Sequence, residues 1–373
     1  MSKKINLVVG AGFAGATIAN LIASNTNEKV IIIDKKSHLA GNSYDYKDKN
    51  GITIHKYGSH IFHTNNDRVW KYLRQFTDFN DYHHKVLAQI DNKYANIPFN
   101  LNTLYKVFPN DFAKTLEEKL LSKFEMGTKV PILEFQKQND EDLNFLADYI
   151  YQKVFLGYTT KQWGMSPKDI DSAVTARVPV FISQDNRYFQ DKYQGIPING
   201  YTKIVEKMIT HKNIEFLSNT DYKKLEGNFE RIFYTGSIDE FFDYKFGILP
   251  YRSVNFQFEE HDKEFYQNNS VINYPCDYDF TRIHEYKYYL NEKSPKTVIA
   301  KEYSEDFIIG KNDRYYPIPN VKNKLLYDKY LSESQKLERV YFLGRLGDYK
   351  YYDMDKTILR AIELFEKVFE NTL

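Results

Sequence analysis

One cysteine in 373 residues, Cys276, excludes a disulfide framework and any cysteine-built zinc site. Charge of one sign is missing as well. The 51 Lys and Arg are met by 50 Asp and Glu, a net +1, so no global field draws the chain to nucleic acid or an anionic membrane. Long apolar runs are scarce. Only residues 5–23, uncharged behind Lys3 and Lys4, approach a signal peptide or short span in character. Gly10, Gly12 and Gly15, spaced as a turn spaces them, and the polar Asn6 and Asn20 argue against both. The chain reads as cytoplasmic, with no membrane span, no nucleic-acid partner and no metal. A 42% hydrophobic content supplies real cores and excludes disorder as the main state. Tryptophan is rare, at two residues, beside 32 tyrosines and 27 phenylalanines. Tyrosine serves as a stacking plate and as an uncharged hydrogen-bond donor, so the surplus hints at a flat or phosphorylated ligand.

The N-terminal segment has a pattern of its own. An apolar strand, Ile5–Val9, runs directly into Gly10-Ala11-Gly12-Phe13-Ala14-Gly15. A helical pattern with Ile18, Leu21 and Ile22 follows, then the apolar residues 30–33 ending in Asp34. This strand–GxGxxG–helix–strand–acid order predicts a dinucleotide-binding fold. The glycines let backbone N–H groups and a helix N-terminus approach a pyrophosphate, and Asp34 is placed to accept from a ribose hydroxyl. Two further cues favour FAD over a nicotinamide cofactor. Lys35, Lys36, Gly41 and Asn42 form a second turn after the acidic strand, and a late strand over 340–343 enters Gly344-Arg345 ahead of a final helix. No second GxGxxG follows a strand, which argues against a two-dinucleotide reductase.

The rest of the chain divides coarsely. Residues 103–172 read as helical, with Leu116, Leu120, Leu121 and Phe124 on one face. Asn139-Asp140-Glu141-Asp142 suits a helix N-terminus better than a metal site. Alternating segments within 84–97 and 251–302 read as antiparallel strands. The expected fold is α/β: a discontinuous Rossmann-like FAD domain (1–82, 196–244, 334–373), a helical domain (100–172) and an antiparallel sheet domain for substrate (83–99, 173–195, 245–333). A competing signal is the YxxxK of Tyr149 and Lys153, the acid/base pair of short-chain dehydrogenases; among so many tyrosines and lysines such a match is cheap.

Longer motifs carry more. These include Ile54-His55-Lys56-Tyr57-Gly58-Ser59-His60-Ile61-Phe62-His63-Thr64, Gly157-Tyr158-Thr159-Thr160-Lys161-Gln162-Trp163-Gly164 and Asp185-Asn186-Arg187-Tyr188-Phe189. Tyr251-Arg252-Ser253, Thr281-Arg282-Ile283, Tyr315-Tyr316-Pro317 and the run from Gly344 to Met354 follow in order. With the opening glycine motif they resemble the bacterial flavin-dependent UDP-galactopyranose mutases from Leu7 to Ile358. The resemblance implies FAD that must be reduced, with NAD(P)H or another reductant as electron source. It also implies the interconversion of pyranose and furanose nucleotide sugars through a flavin N5–sugar adduct, and a homodimer. The nucleotide sugar is the implied partner. Galactose on UDP is the simplest case; UDP-GalNAc, dTDP-6-deoxyhexoses and GDP-heptoses are alternatives. An amine-oxidase-like oxidoreductase and a non-catalytic nucleotide-sugar sensor are the more remote readings.

Residue by residue, the resemblance implies catalytic roles for Arg177, Arg282, His60 and His63. Arg177 and Arg282 would stabilise the departing diphosphate. Tyr188, Tyr316 and Tyr351 match phosphate-contacting tyrosines, and Tyr158 and Trp163 match the residues bracketing the base. Arg252, Asn273 and Asp353 are weaker transfers near sugar or flavin. Cofactor contacts fall on Gly10, Gly12, Phe13, Gly15, Asp34, Lys35, Gly41, Asn42, His60, Gly344, Arg345, Tyr351, Asp353 and Met354. The pair His83-His84 matches nothing and is assigned no role. Ala40 stands where the family usually has a glycine, which matters if the backbone there needs a positive φ. Phe181 and Gln184 also depart from the family's arginine and aromatic.

Overall fold

The computed structural model describes residues 4–137, 139–169 and 179–369. Five parallel strands form one sheet in the order Ile214–Leu217, Lys29–Ile33, Ile5–Val9, Arg231–Tyr234, Val340–Phe342. Val8, Val30, Ile32 and Phe233 are buried, as parallel strands covered on both faces require. The helix Phe13–Asn25 lies over this sheet. Its Ile18, Ala19 and Ile22 share a core with Ala361, Leu364 and Phe365 of the final helix, Met354–Phe369. Strands from three distant parts of the chain therefore complete one Rossmann-type layer.

A second sheet has seven strands, in the order Tyr316–Pro317, Tyr251–His261, Thr297–Asp306, Arg282–Glu285, Val271–Asn273, Val86–Ile90, Lys93–Ile97. It is antiparallel apart from one join, where Val271–Asn273 runs parallel to Val86–Ile90. Distant segments meet at that join, and a hairpin is not available to connect them. A separate two-stranded pairing sets Tyr193–Gly195 antiparallel to Phe62–Thr64.

Between 101 and 163 the described residues are mostly helical, interrupted by the short strand Lys129–Pro131, which pairs with Pro179–Phe181. Asp140 caps the helix Glu141–Ile150, accepting from the Leu143 N–H at 3.0 Å, with Glu141 and Asp142 in its first turn. In Asn110–Lys123 the buried positions are Ala113, Leu116 and Leu120. Leu121, expected on that face, is 41% exposed, because a residue adjacent to Leu120 falls about 100° away around the helix. A π-type segment, Tyr151–Leu156, leads into the helix Gly157–Trp163. The YxxxK pair has no catalytic setting: Tyr149 Oη (3.3 Å) and Lys153 Nζ (2.6 Å) both bond Asp91 on the surface.

Candidate functional site

The C-terminal ends of the parallel strands open onto a cavity of about 400 Å³. It is lined by Gly10, Gly12 and Phe13 from the first turn, Asp34 and Lys35 from the second strand's end, Gly41 and Asn42, and Gly344, Arg345 and Met354 from the last crossover. The motif glycines are sterically required. Gly10 has φ +102°, and a Cβ at Gly15 would stand 1.8 Å from the Gly10 carbonyl oxygen. Gly15 thus brings the helix against the strand and does not line the cavity. The helix Phe13–Asn25 has no side-chain cap and no acid in its first turn, which leaves N–H groups and the positive end of its dipole for an anion. Ala40 takes φ +68° despite its side chain and is buried.

Asp34 is more occupied than a ribose acceptor alone would be. Its Oδ2 accepts from the Ala11 N–H at 2.8 Å and Oδ1 from the Lys36 N–H at 2.8 Å. A carboxylate has further lone-pair sites, so a hydroxyl partner is still accommodated. Lys35 is ion-paired with Glu240. Bare glycine backbone, an uncapped helix N-terminus and a half-buried acid at the strand end fit FAD, and we assign this cavity to it.

A second cavity, about 460 Å³, adjoins the first through three residues that line both: His60, Arg345 and Met354. Its floor is the seven-stranded sheet. One row of the register reads Ala88, Asn273, Arg282, Glu302, Phe256 across five strands, and all five line the cavity. The neighbouring row adds Val86, Val271 and His284, two residues along each strand and therefore on the same face. Arg282 presents its guanidinium 5.8 Å from the Tyr158 ring. Its Nε and the Asn273 Oδ1 are buried without a protein partner. Tyr316 and Tyr351 stack at 5.1 Å, and the Arg345 guanidinium lies 5.3 and 5.6 Å from their rings. Main-chain oxygens hold Arg345 itself, that of Tyr352 at 2.6 Å and that of Tyr315 at 3.4 Å. Tyr188 and Asp353 complete the wall.

The histidines divide by environment. His60 Nδ1 donates to the Gly58 carbonyl at 2.8 Å, which leaves Nε2 as the acceptor of a neutral ring. Burial, with His55 beside it, lowers its pKa to about 3. His63 stacks on Phe189 at 3.6 Å, and its Nδ1 lies 3.1 Å from Asp191 Oδ2.

Two expected substrate-site residues stand elsewhere. Trp163 is 6% exposed and packs behind Tyr316 and Tyr351, at 6.3 and 6.1 Å, so it is not a free stacking plate in this arrangement. Arg252, 4% exposed, does not line the cavity. Its Nε donates to the Gln162 carbonyl at 3.0 Å and its guanidinium pairs with Asp306. It therefore secures the C-terminus of the helix bearing Tyr158. Arg177 lies outside the described residues.

Other wall residues escaped the sequence reading. His84 lines the cavity with Nδ1 3.1 Å from the Tyr82 hydroxyl, and burial lowers its pKa to about 3. Phe189, Ser59, His284, Glu302 and Lys129 also face the space. The Arg-x-His spacing of Arg282 and His284 was the one signal available, since period two puts both on one strand face. Among the described residues there is no metal-holding cluster and no helix long and apolar enough to cross a membrane.

A Rossmann-type flavoprotein whose cofactor cavity opens onto a tyrosine- and arginine-lined second site is the class that this fold and geometry define. Sequence comparison makes it particular. Residues 153–351 match the family model described as UDP-galactopyranose mutase, and residues 8–76 match the NAD(P)-binding Rossmann-like domain. A probable UDP-galactopyranose mutase of Klebsiella pneumoniae is 37% identical, covering 97% of this chain and 94% of its own. The dTDP-fucopyranose mutase of Escherichia coli is 36% identical, with 98% of each chain covered. A crystal structure of reduced UDP-galactopyranose mutase shares the fold, with TM-score 0.68 over 99% of this chain and 96% of that one at 16% identity. The chain belongs to the UDP-galactopyranose mutase family.

Proposed function

We propose that the protein interconverts the pyranose and furanose forms of a nucleotide sugar, most simply UDP-galactopyranose and UDP-galactofuranose, with reduced FAD. One observation carries this: Arg282, Tyr158, Tyr316 and Tyr351 line one cavity that meets the FAD cavity at His60, Arg345 and Met354. Reduced flavin supplies the nucleophile toward the anomeric carbon when bound. The chain's own residues do the rest. Arg282, and by family resemblance Arg177, bind the diphosphate through charge-assisted bonds as it leaves and returns. Tyr188, Tyr316 and Tyr351 donate without adding charge, and Tyr158 offers a face to the base. His60 and His63 serve as the flavin- and sugar-side histidines, and the neutral His60 offers a lone pair. Asn273 and Asp353 contact the sugar or the flavin end.

The proposed division of labour is that of the three expected segments: FAD on the discontinuous Rossmann part, substrate on the sheet, with the helical part closing one side. A homodimer and a cytoplasmic site of action belong to the same reading, on the family resemblance and the near absence of cysteine. NAD(P)H or another reductant would keep the flavin reduced. The similar identity to a dTDP-fucopyranose mutase favours a second substrate reading, a dTDP-6-deoxyhexose.

Dithionite-reduced protein incubated with UDP-galactofuranose, dTDP-fucofuranose and a panel of other nucleotide sugars should yield a ring isomer of at least one, resolved by chromatography. Substrate-dependent reduction of oxidised flavin would instead mark an oxidoreductase and overturn the mutase reading.

A further inference from the structure

The sheet row that carries Arg282 also carries its counter-ion. Glu302 lies directly across the antiparallel register from Arg282 and is 3% exposed. Its Oε1 accepts from the Arg282 guanidinium at 2.9 Å and from Thr281 Oγ1 at 3.2 Å. Burial opposes ionisation of this carboxyl, but Arg282 and then His284 hold its pKa at about 2. The other oxygen, Oε2, stands 2.8 Å from His284 Nε2. A carboxylate only accepts, so Nε2 carries the proton. Burial pushes the His284 imidazole below its ordinary pKa, so in the neutral ring Nδ1 is an acceptor. The Ser59 hydroxyl, 2.5 Å away, donates to it, and the Tyr289 hydroxyl is the remaining partner of Ser59 Oγ. The bonds thus run one way, from Tyr289 to Ser59 to His284 to Glu302, and end on the carboxylate that faces Arg282.

We infer that Glu302, fixed by the Tyr289–Ser59–His284 chain, sets the charge that Arg282 presents to the diphosphate. This rests on the reading that Arg282 meets a nucleoside diphosphate. A glutamine could keep the bonds from Arg282 and Thr281 through its one amide oxygen and would turn an NH2 donor toward His284, so what the carboxylate adds is its negative charge and the second acceptor that takes the His284 proton. An uncompensated guanidinium in a partly dehydrated cavity holds a diphosphate tightly in every state, which lowers KM without raising kcat. A leaving group that has to depart and come back is better met by a cation whose field is partly cancelled. Glu302 is therefore a positioning and charge-setting residue.

The test titrates UDP and dTDP into flavin-loaded wild type, Glu302→Gln and Glu302→Asp, with uridine and thymidine as phosphate-free controls. Glu302→Gln should bind the diphosphates tighter, by on the order of tenfold, while kcat falls and nucleoside binding stays put. Glu302→Asp keeps the charge and should bind the diphosphates within about threefold of wild type. Equal or weaker diphosphate binding by Glu302→Gln, with flavin content and Tm preserved, overturns the inference. Should Glu302→Gln not fold, Ser59→Ala decides. It removes the donor to His284 Nδ1, loosens the ring that anchors Glu302 and should tighten diphosphate binding by about twofold or more; an unchanged affinity overturns the inference. The outcomes separate from the parent reading. Wild type that isomerises no nucleotide sugar sinks the mutase activity but leaves charge-setting standing if Glu302→Gln tightens UDP binding. Active wild type with unaltered binding in Glu302→Gln sinks charge-setting alone.

Discussion

The two cavities share His60, Arg345 and Met354 but are built from opposite materials. The FAD cavity is made mostly of backbone: glycines, a helix N-terminus without a cap, and an acid at a strand end whose oxygens take main-chain N–H groups. Its key parts are close in sequence, because a phosphate-binding turn is a local structure. The substrate cavity is made of side chains laid across five strands of one sheet, and its central row joins residues 88, 256, 273, 282 and 302. A backbone site tolerates change in its side chains but not an added Cβ. A side-chain site tolerates backbone drift but not loss of a charge. Each substitution below presses on one half of that contrast.

The largest effect belongs to the backbone site. Gly15→Ala sets a methyl 1.8 Å from the Gly10 carbonyl, which forces helix and strand apart. We expect protein without bound flavin and with no measurable turnover, read from the absorbance spectrum and the chromatographic assay. Full flavin content would contradict the steric account. In the side-chain site, Arg282→Ala should keep its flavin spectrum and lose turnover by about 100-fold or more, as for one removed electrostatic stabiliser. Retained activity would remove Arg282 from the diphosphate.

Acid should expose the side-chain site next. In the folded chain burial lowers the pKa of both His55 and His84 from 6.5 to about 3. Between those values only the unfolded chain binds the proton, so this stability is complete above about pH 6.5 and is lost as pH falls toward 3. By pH 5 the loss is about 2 kcal/mol for each imidazole. The apparent Tm should drop steeply from pH 7 to pH 5, and His84→Asn should flatten the slope by one imidazole's share. An identical slope in that variant would mean that His84 is already protonated in the fold. The smallest effect returns to the backbone. Ala40→Gly relieves an alanine held at φ +68° and should stabilise the protein by about 0.5–1 kcal/mol in denaturant titration. A loss of stability would mean that the buried methyl outweighs the strain.

The difference in materials also explains what was legible in advance. The strand, glycine turn, helix and acid of residues 5–34 were readable because each signal is local and periodic. So were the helix opened by Asp140 and the final helix from Met354. Arg282 and Asn273 were reachable through motif resemblance, yet nothing in their spacing reveals that they are cross-strand neighbours. Arg252, as a weaker transfer, and Trp163 stood in motifs of the same series as that of Arg282. Only packing shows one spent on a helix terminus and the other walled behind Tyr316 and Tyr351. His84 was assigned no role and Glu302 went unnoticed for the converse reason. Burial gives them their character, and a lone histidine or glutamate in a sequence carries no mark of it.

By itself, then, the amino-acid sequence determined the nucleotide-binding turn, the two strands that flank it and the family. Short-range sterics and hydrophobic periodicity act over a few residues and leave their trace in order and spacing. Tertiary structure alone decided that Arg252 and Trp163 stand off the cavity, that His84 lines it and which carboxylate answers the cation. Those outcomes depend on strand register between segments far apart in the chain, where a shift of one residue would turn every side chain to the opposite face.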